Sequence, residues 1–553
     1  MLSEDLKKII NGDVSVAIND LEHYSRDASI FNVKPEAIVY PKDVEDVKNL
    51  VKWVSENKSE QPGLSITARS AGTDMSGGPL NDSIILDVTT HLNHILEVGD
   101  GYAVTEPGVY YRDFEKETLV KGLLLPSYPA SRELCAMGGI VSNNSGGEKS
   151  LSYGKTERYV EELNVVLSDG NEYVFRALNK EELEAKKSQS DFEGKIYREA
   201  YDLIETNYEA LQKAKPDVSK NSAGYYLWNV WNPAELAGAG RETFDLTKLF
   251  VGSQGTLGII TKIKLRLIKP KKYSKLLVMF LDNLSPLGDL VNSVMLFKPE
   301  SFESYDDQTL KLAVKFLPDM LKKMKGNALS LFLKFMPEAM MILTGGMPKL
   351  VLIAEFTADT EEEVDSNSKK CQEVVNEKFK IKTHITHTEE EAEKYWTIRR
   401  ESFNLLRQHV EGKHTAPFID DIVVHVNQLP TFLPKLNELI GQYKGLTYTI
   451  AGHAGDANFH VIPLMDFHNE DNRRAIPELS EKVYDLVVSL HGSITGEHND
   501  GLIRTPYLEK MYGSEIVSLF KKTKDIFDPL NIFNPRKKVG GDMAYSIAHI
   551  SKE

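Results

Sequence analysis

Gly452-His453-Ala454-Gly455-Asp456-Ala457-Asn458-Phe459-His460 and, downstream, Gly496-Glu497-His498 hold the residue types from which a divalent-metal site is made. Two imidazoles and a carboxylate are a ligand set suited to Zn²⁺, Mn²⁺ or Fe²⁺. His453 and His460 stand seven residues apart. On one continuous strand that spacing points them to opposite faces, and on a helix to the same face. Gly452 and Gly455 argue against a helix, whereas 446–450 and 459–462 are strand-like. The arrangement that brings both imidazoles together is a tight hairpin. His453 then ends one strand, His460 opens the next, and Asp456 and Asn458 shape the turn. Two histidines in an ordinary turn would show the same spacing, but Gly496-Glu497-His498 and the glycine-rich N-terminal half weigh towards a site.

The second chemical signal is the stretch 69–78, directly after a strand-like run at 64–69. Gly72, Gly77 and Gly78 let backbone N–H groups turn towards an anion, and Thr73 and Ser76 add hydroxyl donors, which suits a pyrophosphate. The stretch is not Gly-x-Gly-x-x-Gly, so the nicotinamide-type fingerprint is absent. Gly154-Lys155-Thr156 is not a P-loop, because residue 149 is lysine where that motif needs glycine.

These signals must be carried by a chain of 553 residues, too long for one core, so two or three domains are expected. Apolar content of 41% and charged content of 27% are those of a soluble globular protein. A net charge of -15 disfavours nucleic acid and anionic membrane as general partners. Cys135 and Cys371 are the only cysteines, which fits a reduced, cytoplasmic setting and cannot hold an iron–sulfur cluster. The start, Met1-Leu2-Ser3-Glu4-Asp5, lacks the basic and apolar regions of a signal peptide. No apolar run reaches the ~18 residues of a membrane span.

Along the chain, 1–34 reads as a polar helical lead-in. Val44, Val47, Leu50, Val51 and Val54 fall at helical spacing within 42–57. Strands are expected at 83–88, 94–98, 162–167 and 172–176, with a second glycine-rich segment at 137–147 and a third at 250–260. The basic, proline-containing 269–272 marks a boundary between a first domain, 35–270, and a second, 271–510. That second domain alternates strands (276–280, 350–356, 422–426, 446–450, 459–462) with helices over 287–345, 360–378, 388–411 and 470–491. An α+β class follows. The Leu-, Met- and Lys-rich 310–349 reads as a helical insertion packed on this domain. A peripheral membrane contact on the inner face is the alternative. The C-terminal 511–553 is expected to return to the first domain.

Taken in order, these segments resemble the FAD-linked 2-hydroxy-acid dehydrogenases of the vanillyl-alcohol-oxidase/para-cresol-methylhydroxylase superfamily, over about residues 20–540. Within it the chain is most similar to D-lactate dehydrogenases, the glycolate oxidase flavoprotein subunit and D-2-hydroxyglutarate dehydrogenases. The motifs are the Pro41–Val47 pattern, the loop 69–78, 126–131 with Gly138-Gly139 and 143–147, Ser253-Gln254-Gly255-Thr256-Leu257-Gly258, the metal motif, and 528–535. The resemblance implies a two-subdomain FAD-binding domain of para-cresol-methylhydroxylase type and an α+β substrate (cap) domain with a central antiparallel sheet. It assigns non-covalent FAD contacts to Arg69, Ser70, Ala71, Gly72, Thr73, Asp74, Ser76 and Gly77 in the first loop. In the second they fall on Pro126, Ser131, Gly138, Gly139, Ser142, Asn143, Asn144, Gly146, Gly147 and Tyr153. Gln254, Gly255, Gly258, Ile259, Ile260 and Asn534 complete them. Three departures stand out: Ser70-Ala71 replaces two glycines, Gln254 replaces a glutamate, and 499–504 is like longer members fused to an iron–sulfur domain.

The resemblance further implies that His453, His460 and Glu497 hold a divalent metal (Zn, Mn or Fe). His498 would then act as the base for the hydroxyl of a small 2-hydroxy acid such as D-lactate or a D-2-hydroxyglutarate-like diacid. Asn458 would orient substrate or a metal-bound water. Arg399, in its Trp396-x-x-Arg399 context, would take the carboxylate, and Arg400 would face solvent. A second acid group would meet Arg504 or Lys413; Phe418-Ile419-Asp420-Asp421-Ile422 stands where the family's lysine is expected, which leaves the chain length of the substrate open. Electrons would pass to a quinone, an electron-transfer flavoprotein or an iron–sulfur subunit, and a homodimer is left open. The alternatives are a non-catalytic flavin-binding subunit of a redox complex, which needs no metal-polarising site, and a metallohydrolase, which would be colourless.

Overall fold

The computed structural model describes residues 2–233, 242–315, 346–409, 412–443 and 446–552. The N-terminal half contains two sheets. In the first, Ala37–Tyr40 and Ile66–Arg69 flank Ile84–Asp87 in parallel, and Asp13–Ser15 adds an antiparallel edge. Helix Val44–Asn57 covers it, capped by the Asp43 carboxylate on the N–H groups of Glu45 and Asp46, so it begins at the first residue of the apolar spacing and two residues after the start of the expected span 42–57. The second is an antiparallel five-stranded sheet in the order Ile95–Val98, Tyr102–Thr105, Ile259–Arg266, Val160–Val166, Glu172–Arg176. Strand Ile66–Arg69 delivers the first glycine-rich loop, and helix Met137–Asn143 begins the second.

The C-terminal half is built on an eight-stranded antiparallel sheet. Its path runs Lys382–Ile385, Tyr273–Leu281, Leu350–Ala358, Ser301–Asp306, Thr447–His453, Asn458–Met465, His414–Thr415, with Ile422–Val423 also paired to Asn458–Met465. Ser301–Asp306 corrects the helix expected there. Phe302 faces one core and Tyr305 the other, the period-two pattern of a strand buried on both sides. One face of the sheet is covered by helices Leu287–Met295, Glu361–Phe379, Leu429–Gly441 and Glu470–Ser489. The other packs Tyr305, Val351 and Ile353 against Tyr395, Trp396 and Ile398 of helix Glu389–His409.

The C-terminal helix Leu508–Phe527 packs Phe520 and Phe527 into the core of the N-terminal half. The helical insertion expected at 310–349, and its membrane alternative, lie for the most part outside the described residues. Among the described residues no helix is long and apolar enough to cross a membrane.

Candidate active site

The expected hairpin is present: Thr447–His453 and Asn458–Met465 pair in register with His453 opposite Asn458 and Ala451 opposite His460. That register makes His453 and His460 diagonal neighbours on one face, with ring centroids 5.3 Å apart. The turn between them is a 3-10 turn at Ala454–Asp456, closed by Ala457 in the left-handed region. The face that carries them is the one under helix Glu389–His409, so Arg399 stands above it.

His498 stacks on His460 at 5.0 Å between centroids, and one carboxylate serves both rings. Asp420 Oδ1 is 3.1 Å from His460 Nδ1, and Asp420 Oδ2 is 2.7 Å from His498 Nδ1. Each imidazole is therefore anchored through Nδ1 and presents Nε2, the arrangement that fixes tautomer and aim in metal-binding and basic histidines. Neighbouring Asp421 does a different task. Its Oδ2 accepts from the Thr495 hydroxyl and from the N–H groups of Glu497 and His498, and its Oδ1 from Asn458. It shapes the irregular loop that brings Glu497 and His498 to the hairpin. On the other side, His453 Nδ1 lies 2.5 Å from Glu303, which also accepts from Arg399 Nε at 3.2 Å, and His453 Nε2 lies 3.4 Å from Glu497.

The charges are strongly coupled. Burial pulls the His498 imidazole down, but Asp420 and Asp421 outweigh it and lift its pKa to about 9. His453 is likewise held down by burial and lifted to about 9 by Glu303 and Glu497. Burial opposes ionisation of Glu497, yet Lys220 and His453 hold its carboxyl well below the usual range. Ligand atoms of Asp421, His460, Glu497 and His498 lie within 4.8 Å of one another, a spacing that suits one small divalent ion. Asp421 already accepts four hydrogen bonds, which leaves His460, His498 and Glu497 as the members of this group able to turn to a cation; the group takes in His498, expected as the base, and not His453, expected as a ligand.

This cluster forms one wall of a cavity of about 1140 Å³ whose opposite walls are the glycine-rich loops. Arg69, Ser70, Ala71, Gly72, Thr73 and Asp74 line it, as do Ser131, Gly138, Gly139, Ser142, Asn143, Gly146, Gly147, Gln254, Gly255, Gly258 and Ile260. His453, His460, Glu497, His498 and Arg399 face the same space. Gly138 shows why the loops are bare: a Cβ there would sit 2.7 Å from Pro107 Cβ and 3.0 Å from Ser70 Oγ. The Ser70 side chain fills the room next to Gly138 and Gly139. Gln254 needs its amide: its oxygen accepts from Gly501 N–H while its nitrogen donates to Ser76.

Several expected contacts lie elsewhere. Ser76 gives its N–H and hydroxyl to the Asp74 carboxylate, which also takes the Gly78 N–H, so two donors expected for a pyrophosphate are used within the loop. The bare Cα of Gly77 packs on Phe31. Tyr153 donates to Glu300, Asn144 accepts from Glu157 N–H, and Pro126 and Ile259 are buried away from the cavity. Asn534 ties Gly78 and Gln254 together from behind. Asn458 is buried under the site on Asp421. Arg504 is fully buried and donates to the carbonyls of Asn499 and Asp420, so it braces the loop and cannot meet a substrate acid group. Arg400 is exposed, as expected, and also lines the cavity, stacked over Trp396 and paired to both oxygens of Glu148.

Sequence reasoning missed Asp420, Asp421, Glu303 and Lys220. Two adjacent acids after the apolar Pro417-Phe418-Ile419 were the available signal, since buried carboxylates need a stated partner. Glu303 carried none, because its strand was read as helix.

The FAD binding domain family matches residues 35–175, and the family described as FAD linked oxidases, C-terminal domain, matches 270–538. The glycolate oxidase subunit GlcD of Bacillus subtilis is 26% identical over 529 residues, covering 94% of this chain and 92% of that one. A D-lactate dehydrogenase of Anaerostipes hadrus is 25% identical, covering 96% and 94%. A D-2-hydroxyglutarate dehydrogenase of Pseudomonas putida is 27% identical over 92% of this chain, which spans 49% of that relative. Among solved structures, p-cresol methylhydroxylase shares the fold at a TM-score of 0.68 and 17% identity, over 98% of this chain and 96% of that one.

Proposed function

This chain belongs to the FAD-linked oxidases, and from that premise we propose that it oxidises a small 2-hydroxy acid to the 2-oxo acid. The observation that carries the reading is the pair His460 and His498, both aimed by Asp420 into a cavity whose other walls are the flavin loops. His453, His460 and Glu497 would hold a divalent metal, with Asp420 and Glu303 orienting the imidazoles from behind. When bound, the flavin supplies a two-electron acceptor and the metal a Lewis acid for the hydroxyl and carboxylate.

The chain's own residues do the rest. Arg399, fixed through Nε on Glu303, binds the substrate carboxylate and sets C2 against the flavin loops. His498 accepts the hydroxyl proton at Nε2, and Asp420 stabilises the imidazolium so formed. Asp420 and Asp421 raise the His498 pKa to about 9, and a cation held beside Glu497 would oppose that rise and favour the neutral imidazole that accepts the proton. With the hydroxyl proton on His498, the C2–H bond breaks as the C2–O bond becomes a carbonyl; the hydride and its electron pair would be taken up by the bound flavin and passed on to a quinone, an electron-transfer flavoprotein or an iron–sulfur partner.

Purified protein is expected to be yellow and to be bleached anaerobically by one 2-hydroxy acid from a D/L panel, and chelator dialysis is expected to abolish the bleaching until Zn²⁺ or Mn²⁺ is restored. A colourless protein, or a flavin bleached as fast after metal removal, would contradict the reading. Arg399→Met is expected to raise KM at least roughly 30-fold, the scale of losing one partner of a desolvated charge pair, with a smaller change in kcat. An unchanged KM would remove Arg399 from the carboxylate site.

A further inference from the structure

Lys220 comes from the N-terminal half yet ends inside the histidine cluster of the C-terminal half. Its side chain is 2% exposed, and its ammonium lies 2.6 Å from Glu497 Oε1 and 3.0 Å from Asp456 Oδ2. Asp456 sits in the turn between His453 and His460, so one cation joins the hairpin to the loop that supplies the carboxylate ligand.

The segment around Lys220 follows the Glu497 loop at successive positions. Ser219 donates to the Asp456 carbonyl, Ser493 donates to Asn221, Ser222 N–H to the Thr495 carbonyl, and the Ser222 hydroxyl to the Gly496 carbonyl. Lys155 reaches the same Gly496 carbonyl at 2.7 Å. The Glu497 loop has no regular secondary structure, so these contacts and Asp421 determine where its carboxylate stands. With Oε1 taken by Lys220, Oε2 is the oxygen that faces His453, at 3.4 Å.

We propose that Lys220 is a positioning residue for the metal site: its ammonium holds one oxygen of Glu497 against the hairpin turn, so that the other is presented to a divalent cation beside His453 and His460. The proposal rests on the metal reading given above. It has a sign that simple charge repulsion does not share. Removing a cation next to a metal site strengthens metal binding by Coulomb's law, whereas losing an orienting partner weakens it.

The experiment titrates Mn²⁺ into the FAD-loaded full chain after chelator treatment, reading unbound Mn²⁺ by electron paramagnetic resonance, with Zn²⁺ competition as a second probe. Lys220→Met is expected to bind Mn²⁺ about 10- to 100-fold more weakly, the range found for lost partners of metal ligands, with FAD content unchanged. Lys220→Arg keeps the charge in the buried pocket but misplaces it, and is expected to bind at least about threefold more weakly. Wild-type protein that binds neither ion overturns the metal reading and this proposal together. Wild-type binding matched or exceeded by the variants overturns the Lys220 assignment alone. Loss of FAD and of the folding transition in both variants makes Lys220 a folding residue and likewise overturns it.

Discussion

Replacing His498 with alanine is expected to slow anaerobic bleaching of the flavin by substrate by about 10²- to 10⁴-fold, the usual range for a positioned general base, while FAD stays bound. The imidazole stacks on His460 and touches Asp420 through Nδ1, so alanine removes the group aimed at the cavity without opening the loop that Asp421 braces through the backbone of Glu497 and His498. FAD content and substrate affinity should change little, because the flavin loops and Arg399 are contributed by other elements. Single-turnover stopped-flow absorbance checks it. Bleaching at the wild-type rate would take the base role from His498. A loss confined to KM would make it a binding group.

Asp420→Asn is expected to be nearly as damaging, with flavin reduction down on the order of 10²-fold or more and metal affinity down about 10- to 100-fold. The carboxylate holds two imidazoles at once, His460 by a hydrogen bond on Oδ1 and His498 by an ion-pair contact on Oδ2. An amide has one acceptor and one donor, so one ring must turn or change tautomer and lose the aim of its Nε2. The buried carboxylate is costly by itself, yet His498 and His460 hold its carboxyl far below the usual range, a sign that the three groups act as a unit. Metal content by elemental analysis, beside reduction kinetics, separates the two losses. Wild-type values for both would show that Asp420 fills space and no more.

Much of this was legible in the sequence because it depends on local rules. The hairpin followed from glycines between two strand-forming runs, and its register then placed His453 and His460 on one face. The first loop followed from glycines and hydroxyls after a strand, and most of its residues line the cavity. Local rules also explain the errors. Ser76 and Gly78 read as anion donors because nothing in the chain order shows that Asp74 will take their N–H groups. Arg504 read as a substrate cation because its burial depends on carbonyls that fold around it.

The sequence by itself determined the inventory: a flavin-type set of loops, a histidine hairpin, and a Gly-Glu-His loop to meet it. Only the tertiary structure decided the partners. Asp420 beneath two rings, Glu303 between His453 and Arg399, and Lys220 reaching across from the other half are separated by tens to hundreds of residues from the groups they hold. Their roles come from burial, where an unpaired charge is costly and each group must find its counterpart. That pairing is a property of the packed interior and has no signature in residue spacing.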